Sequence, residues 1–330
     1  MKRIAINGYG RIGRCLVRAL HERGLASDYQ LVAINDLAPF EVLAHLTRHD
    51  STHGHFSPPV SLEGNTLHIG DWQVQLLSEP DPARQPWRDL GIDVVVESSG
   101  KLKTRPQLAA HLTAGAGRVL ATHPVADADR TVVYGVNHDT LTADDHIISN
   151  ASCTTNCLAP LVKVLDDRFG LQQGQMTTIH AYTNDQNLVD KAHSDLYRSR
   201  AAAVSMIPTR TGAAQAVGLV LPELAGKLDG MAVRVPTLNV SMVDLHCLLA
   251  EPVTVERIND ALRDAAAGEL SGILATNEEP LVSIDFNHNP ASSIVDLPQT
   301  RVIGQQAKLM SWYDNEWGFS NRLIDVLALL

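Results

Sequence analysis

The chain has 330 residues, of which 45% are hydrophobic and 19% charged, and a formal net charge of −10. That length supplies two packed cores. The acidic balance excludes a global basic field that would draw the chain to nucleic acid or an anionic membrane, so positive charge for anionic ligands must be concentrated locally. No apolar run reaches membrane-spanning length and no signal-peptide h-region opens the chain, so a cytoplasmic location is expected.

Arg3–Asn7 reads as a buried strand, followed by an amphipathic helix over Arg11–Arg23 that Gly24 stops. Gln30–Asn35 is the next strand, and a helical stretch runs from about Pro39 to Arg48. Ile92–Val96, Val119–Ala121, Thr131–Val136 and Ile147–Ser149 are short β-branched runs expected to be strands. This alternation implies an α/β fold with a Rossmann-type, doubly wound parallel sheet. After Asn150 the texture changes. A helix over Ser152–Phe169 precedes longer strands at Met176–Thr183, Met231–Val235, Val240–Ala250, Leu281–Phe286 and Lys308–Tyr313. Such strands suggest an α+β domain with a mixed, largely antiparallel sheet. Asn187–Pro208 lacks a period and reads as a long ordered loop. The expected domains are residues 1–151, joined by a returning C-terminal helix within 316–330, and residues 152–315.

Gly8-Tyr9-Gly10-Arg11-Ile12-Gly13 is a G-x-G-x-x-G run between strand and helix. Gly8 permits the tight turn, Gly10 lets backbone approach a pyrophosphate, and Gly13 lets helix pack on strand. The helix N-terminus supplies N–H donors for the phosphates. Asp36, at the end of the second strand, can accept from ribose hydroxyls and would repel a 2′-phosphate, which favours NAD over NADP.

The four cysteines, Cys15, Cys153, Cys157 and Cys247, are too scattered for a disulfide framework. Cys153 and Cys157 lack the further ligands of a zinc site, and no metal is expected. Polar residues Ser149–Ser152 place Cys153 in the first turn of its helix, where the dipole is expected to lower the thiol pKa. Cys157, one turn on, reads as packing. His180 ends the following strand, which can return it to Cys153. A thiol beside a base suits an aldehyde: addition of the thiolate makes a hemithioacetal, and hydride loss from it leaves a thioester. The remaining histidines read as surface or packing residues.

SNASCTTNC, HAYT, TGAAQAVG, VRVPTLNVSMVDL and WYDNEWGFSNR, with NGYGRIGR and the IND ending at Asp36, resemble the phosphorylating glyceraldehyde-3-phosphate dehydrogenase family from about residue 1 to 327. The resemblance implies that Cys153 is the nucleophile and His180 the base. It implies that Arg11, Ile12, Asp36 and Thr122 contact the cofactor, and that Asn315 holds the nicotinamide amide. Thr183 and Arg234 would bind the substrate phosphate, while Ser152, Thr154, Thr211 and Gly212 would bind inorganic phosphate. Arg198 and Arg200 would lie in a loop shared across a homotetramer interface. Inorganic phosphate, a small phosphorylated aldehyde and further copies of the chain are the implied partners.

The departures bear on substrate choice. The usual HAYTATQ is His180-Ala181-Tyr182-Thr183-Asn184-Asp185-Gln186, which sets a carboxylate near a phosphate, so Asp185 must point away or pair with an arginine. The usual Ser-Ala-Pro is Thr122-His123-Pro124, a loop proline is Ala192, and the tyrosine after WG is Phe319. Some features, among them residues 86–90 and Thr131–Asn137, also resemble erythrose-4-phosphate dehydrogenase, which releases its product by hydrolysis. Thr183 and the Thr211-Gly212 pair favour phosphate attack over that alternative. A non-catalytic NAD-binding interaction protein is the reading from another class.

Overall fold

The computed structural model describes all 330 residues, which fall into two compact units. One comprises Met1–Val132, Asp139–Ala151 and Ser320–Leu330, the other Val133–His138 and Ser152–Phe319.

The first unit begins with β1 (Lys2–Asn7), α1 (Arg11–Glu22), β2 (Tyr29–Asn35) and α2 (Phe40–Arg48). A two-residue ribbon, β3 (His49–Asp50) and β4 (Gly54–His55), leads to β5 (Val60–Glu63), β6 (Thr66–Ile69) and β7 (Trp72–Leu77). Then come β8 (Val94–Glu97), α3 (Arg105–Thr113), β9 (Arg118–Ala121), β10 (Arg130–Thr131) and β11 (Ile147–Ser149). The nine-stranded sheet has the order β10-β11-β9-β8-β1-β2-β7-β6-β5. It is parallel from β10 to β7, and β5 and β6 add an antiparallel edge. Ile4, Ala5 and Ile6 of β1 and Val94, Val95 and Val96 of β8 are buried, as central parallel strands require. From Ser320 the last helix groups with this unit, where Arg23 donates to Asp325 at 2.8 Å and Lys2 to the Leu327 carbonyl at 2.6 Å.

The chain turns from one flank of the sheet to the other at β1 and β8, the place where open α/β sheets bind ligands. A buried polar network crosses beneath that point. Trp87 Nε1 donates to His111 Nδ1 at 3.0 Å, so His111 must donate from Nε2 to Glu97 at 3.1 Å. Glu97 also accepts from Asn7 at 2.6 Å and from the Ser99 N–H at 2.9 Å. Burial opposes the carboxylate charge, but His111, Asn7 and Ser99 together hold its pKa below the ordinary 4.5. Glu97→Gln turns an acceptor into a donor against donors. It is expected to cost about 2 kcal/mol at neutral pH, measured by urea unfolding. Because the folded pKa is depressed, the wild-type advantage is present above the unfolded value near 4.5 and narrows as pH falls below it.

The second unit opens on α4 (Cys153–Phe169), capped by Ser152 through the Thr155 N–H, and β12 (Leu171–Ala181). It continues through β13 (Ile207–Arg210), α5 (Ala213–Val220), β14 (Leu228–Val235), β15 (Ser241–Leu249) and α6 (Val255–Ala267). The last strands are β16 (Leu274–Asn277), β17 (Ser293–Asp296), β18 (Arg301–Ile303) and β19 (Gln306–Tyr313), before α7 (Trp317–Leu329). The sheet order is β13-β14-β12-β15-β19-β17-β16, mixed in direction, with β18 on β19. The apolar side of α4, including Leu158, Leu161, Val162 and Leu165, is fully buried.

Two sequence expectations are corrected. Thr131–Val136 is a strand only at its first residue, because Asn137 and His138 side chains capture the N–H groups of Val133 and Gly135 and turn the chain. Leu281–Phe286 contains a single 3-10 turn over Ser283–Phe286, because Asp285 accepts from the Val282 N–H at 2.8 Å. The loop expected over Asn187–Pro208 holds a 3-10 turn at Ala202–Val204 and gives way to β13 at Ile207.

Candidate active site

In the first unit, a cavity of about 300 Å³ opens at the carboxyl ends of the central strands, lined by Asn7, Gly8, Gly10, Asp36, Ser98 and Ser99 among others. Gly8 has φ of 90°, and a Cβ there would lie 2.3 Å from Ser99 backbone. At Gly13 it would lie 2.7 Å from the Gly8 carbonyl oxygen. At Gly10 the space is open, so the backbone stands bare toward the cavity and offers no side chain to cap α1. An anion can approach such a helix start. The Asp36 carboxylate is held by the Tyr9 N–H at 2.7 Å and the Ala38 N–H at 2.9 Å. A bare glycine turn with an oriented acid beside it fits a dinucleotide. Arg11 pairs with Asp50 instead of reaching into this cavity, Ile12 follows in the first turn, and Thr122 bonds the Glu97 carbonyl through both N–H and hydroxyl.

In the second unit, Cys153 starts α4, and its Sγ lies 3.5 Å from His180 Nε2. The residue two before it, Ala151, has φ of 55°, a left-handed conformation that a side chain tolerates poorly and that shapes the approach to the helix cap. His180 Nδ1 lies 2.6 Å from the Ala181 carbonyl, which can only accept. Arg234 Nη1, which can only donate, lies 2.9 Å from the same Nδ1; with the proton on Nδ1, as the shorter contact to the carbonyl requires, Arg234 faces the ring as a neighbouring cation and the Nε2 lone pair faces the thiol. Arg234 is the register partner of His180 on neighbouring β14 and donates to the same carbonyl at 3.1 Å. Its Nε is buried with no hydrogen-bond partner, a donor waiting for an acceptor.

Burial raises the Cys153 thiol above its ordinary value, opposed first by Arg234 and then by hydrogen bonds from Thr154. This corrects the expectation that the helix start alone lowers it. Burial, then Arg234, depresses His180 to about 3. Neither group holds a charge easily by itself, so the pair starts neutral. Charge separates only when the proton crosses from Sγ to Nε2, where Arg234 stabilises the thiolate. Cys157 is buried and pushed up to about 12, consistent with packing.

The hydroxyl of Thr155 donates to the Ala213 carbonyl at 3.3 Å, which brings the starts of α4 and α5 together. Ser152 caps the first helix, while Thr211 accepts from the Ala213 N–H at 3.2 Å and Gly212 precedes the second without a side-chain cap. Thr154 is placed differently from its expected role. Its hydroxyl is buried and lies 2.8 Å from the Tyr313 hydroxyl. Thr183 sits in a turn closed by Gln186, and Asp185 in that turn pairs with Arg198. Arg200 pairs with Asp190 at 2.9 Å.

Two residues escaped the sequence reading. Tyr313 bridges Thr154 and Thr178, both at 2.8 Å, tying the nucleophile's helix to the strand of the base. Ser241 accepts from the Ala181 N–H and donates to Asn315 Oδ1 at 2.7 Å, which leaves the Asn315 amide N–H₂ as a donor. Tyr313 lies inside the WYDNEWG run but carries no spacing signal of its own; Ser241 has none.

A family model for the C-terminal domain of glyceraldehyde 3-phosphate dehydrogenase matches residues 152–315, and one for its NAD binding domain matches residues 2–105. The chromosomal glyceraldehyde-3-phosphate dehydrogenase of Cupriavidus necator is 55% identical over 99% of this chain and 98% of its own length. Those of Pseudomonas aeruginosa and Xanthobacter flavus are each 55% identical with the same coverage.

Proposed function

The chain belongs to the glyceraldehyde-3-phosphate dehydrogenase family, and on that premise we propose that it oxidises D-glyceraldehyde 3-phosphate to 1,3-bisphosphoglycerate through a thioester on Cys153. The observation that carries the proposal is the Cys153 Sγ standing 3.5 Å from His180 Nε2. The first unit is the cofactor-binding domain, where the Gly8–Gly13 turn and Asp36 would hold NAD, with Thr122 nearby and the Asn315 amide serving the nicotinamide. Bound NAD supplies the hydride acceptor.

The thiol proton moves to His180 as Sγ adds to the aldehyde carbon, and His180 passes it on to the carbonyl oxygen, which leaves a neutral hemithioacetal beside a neutral imidazole. His180 then takes the hemithioacetal hydroxyl proton as hydride leaves the carbon and the thioester forms. Arg234 and Thr183 bind the substrate phosphate. Ser152, Thr211 and Gly212, at two converging helix starts, receive the inorganic phosphate that attacks the thioester and releases Cys153, while the Thr154 hydroxyl is taken by Tyr313. The names of the relatives give no support to the tetrose phosphate alternative. Sustained NADH formation is expected from the triose phosphate and only with inorganic phosphate present. Faster turnover of erythrose 4-phosphate without phosphate would overturn the assignment.

Asp36 sets the cofactor preference. Asp36→Ala is expected to relax NAD over NADP by on the order of 10²-fold, since like charges brought together in a site cost several kcal/mol and each 1.4 kcal/mol is tenfold. Unchanged ratios of kcat/KM for the two cofactors would remove Asp36 from that role. Leu188, Val189, Leu196, Tyr197, Val204 and Met206 expose apolar surface along one loop, which supports assembly as a homotetramer. No helix is long and apolar enough to cross a membrane, and four free thiols suit a reducing cytoplasm.

A further inference from the structure

Asp185 takes no part in the reaction just described, yet it stands among the cations of the site. Its carboxylate pairs with Arg198, and His193 Nε2 lies 3.7 Å from its other oxygen. Arg198 is turned onto the sheet: its Nε donates to Thr209 Oγ1 at 2.9 Å and its Nη2 to the Arg210 carbonyl at 3.3 Å, while Nη1 is the group that meets Asp185. Asp195 Oδ2 is 3.7 Å from the same Nε.

The strand register says which face this is. Thr209 lies two residues from Ile207, and Ile207 is the antiparallel partner of Arg234. Residues two apart on a strand point the same way, as do direct cross-strand partners. Thr209 therefore projects on the side of Arg234, which is also the side of its other register partner, His180. Arg198 is thus tethered on the face of the catalytic pair. Two guanidiniums share that face: Arg234 has an unpartnered Nε, while the charge of Arg198 is already met by Asp185.

We infer that Asp185 is a specificity-determining residue of the phosphate site, an internal counter-ion that occupies Arg198 and weakens its engagement of a phosphate group. A phosphate that binds Arg234 and Arg198 together must displace the Asp185 carboxylate or accept a like charge beside it. Either event lowers affinity, and both are screened by salt. The chemistry is shared by a phosphate ester and free phosphate. This inference rests on the proposed reaction, in which both kinds of phosphate bind in the second unit.

The Asp185 side chain is 51% exposed, so Asp185→Asn changes the charge without opening a core. The KM values for glyceraldehyde 3-phosphate and for inorganic phosphate are measured separately in wild type and variant. One KM is expected to fall roughly two- to fivefold with kcat unchanged, the scale of an exposed ion pair. The KM that falls identifies whether ester or free phosphate competes with Asp185. The gain should shrink as ionic strength rises, which loss of a merely structural tether would not produce. Both KM values unchanged, or either one raised, would overturn the inference. Calorimetric binding of inorganic phosphate and of glycerol 3-phosphate gives a readout independent of turnover. Tighter binding of either in the variant sustains the inference even if wild type does not oxidise the triose; equal or weaker binding of both sinks it.

Discussion

Cys153→Ser is expected to reduce oxidation of the triose phosphate by on the order of 10⁴-fold or more while leaving NAD affinity unchanged. A serine at this position keeps the start of α4 and its Ser152 cap, so the fold has no reason to change. What is lost is a sulfur that can give up its proton to a neighbour 3.5 Å away and then leave again as a thiolate when phosphate attacks. An oxygen nucleophile there has a far higher pKa, and an oxygen ester would be a poorer acyl donor to phosphate. The Gly8–Gly13 turn and Asp36 belong to the first unit, so cofactor titration provides the control. Iodoacetate should label wild type at Cys153 and spare Cys15, Cys157 and Cys247, which are buried. A Cys153→Ser protein that retains wild-type turnover would move the chemistry elsewhere and revive the non-catalytic reading of this thiol.

The sequence revealed the parts whose signal is local. The strand, glycine turn and helix at residues 2–22 follow from composition and period alone, and the start of α4 from polar residues before an apolar run. Elements held by side-chain capture were harder to see. Nothing in the β-branched run Thr131–Val136 announces that Asn137 will take the Val133 N–H. The neighbouring strands β6 and β7 do alternate, with Leu67, Ile69, Trp72, Val74 and Leu76 buried, and the turn residues Gly64 and Gly70 mark the two ends of β6. Helix α6 also carries a period, with Ile258, Leu262 and Ala265 buried along one side.

At the site, the pairing of Cys153 with His180 could be guessed because the end of a strand can return to the start of the helix before it. The charge state could not. Whether a helix-start thiol is lowered or raised depends on how much water the surrounding chain removes, and that is a property of tertiary packing. Arg234 shows the same limit. On the sequence it is a charge in a strand; only the register that sets it beside His180 makes it the cation that steadies a thiolate. Asp185 is the converse case, a residue whose departure from the family pattern was plain in the sequence but whose partner, thirteen positions away, was not.

His180→Asn supplies the second large effect and separates chemistry from stability. Without the imidazole, Cys153 loses the proton acceptor at 3.5 Å and the hemithioacetal loses its base, so kcat is expected to fall about 10²- to 10⁴-fold. Alkylation of Cys153 by iodoacetate at neutral pH should slow as well, because burial holds the thiol above its ordinary value and no neighbour remains to take the proton. Stability should change in the opposite sense under acid. The folded pKa of His180 is about 3, whereas the unfolded chain takes up that proton near 6.5. In that window the unfolded state binds more protons, so wild type loses stability through this group as pH falls from about 6.5 to about 3. Asparagine does not titrate, and the variant should lose stability less steeply between those values, as followed by urea midpoints. A variant that stays fully active, or one whose acid slope matches wild type, would show that His180 is not the buried neutral base that its contacts with Cys153, Ala181 and Arg234 describe.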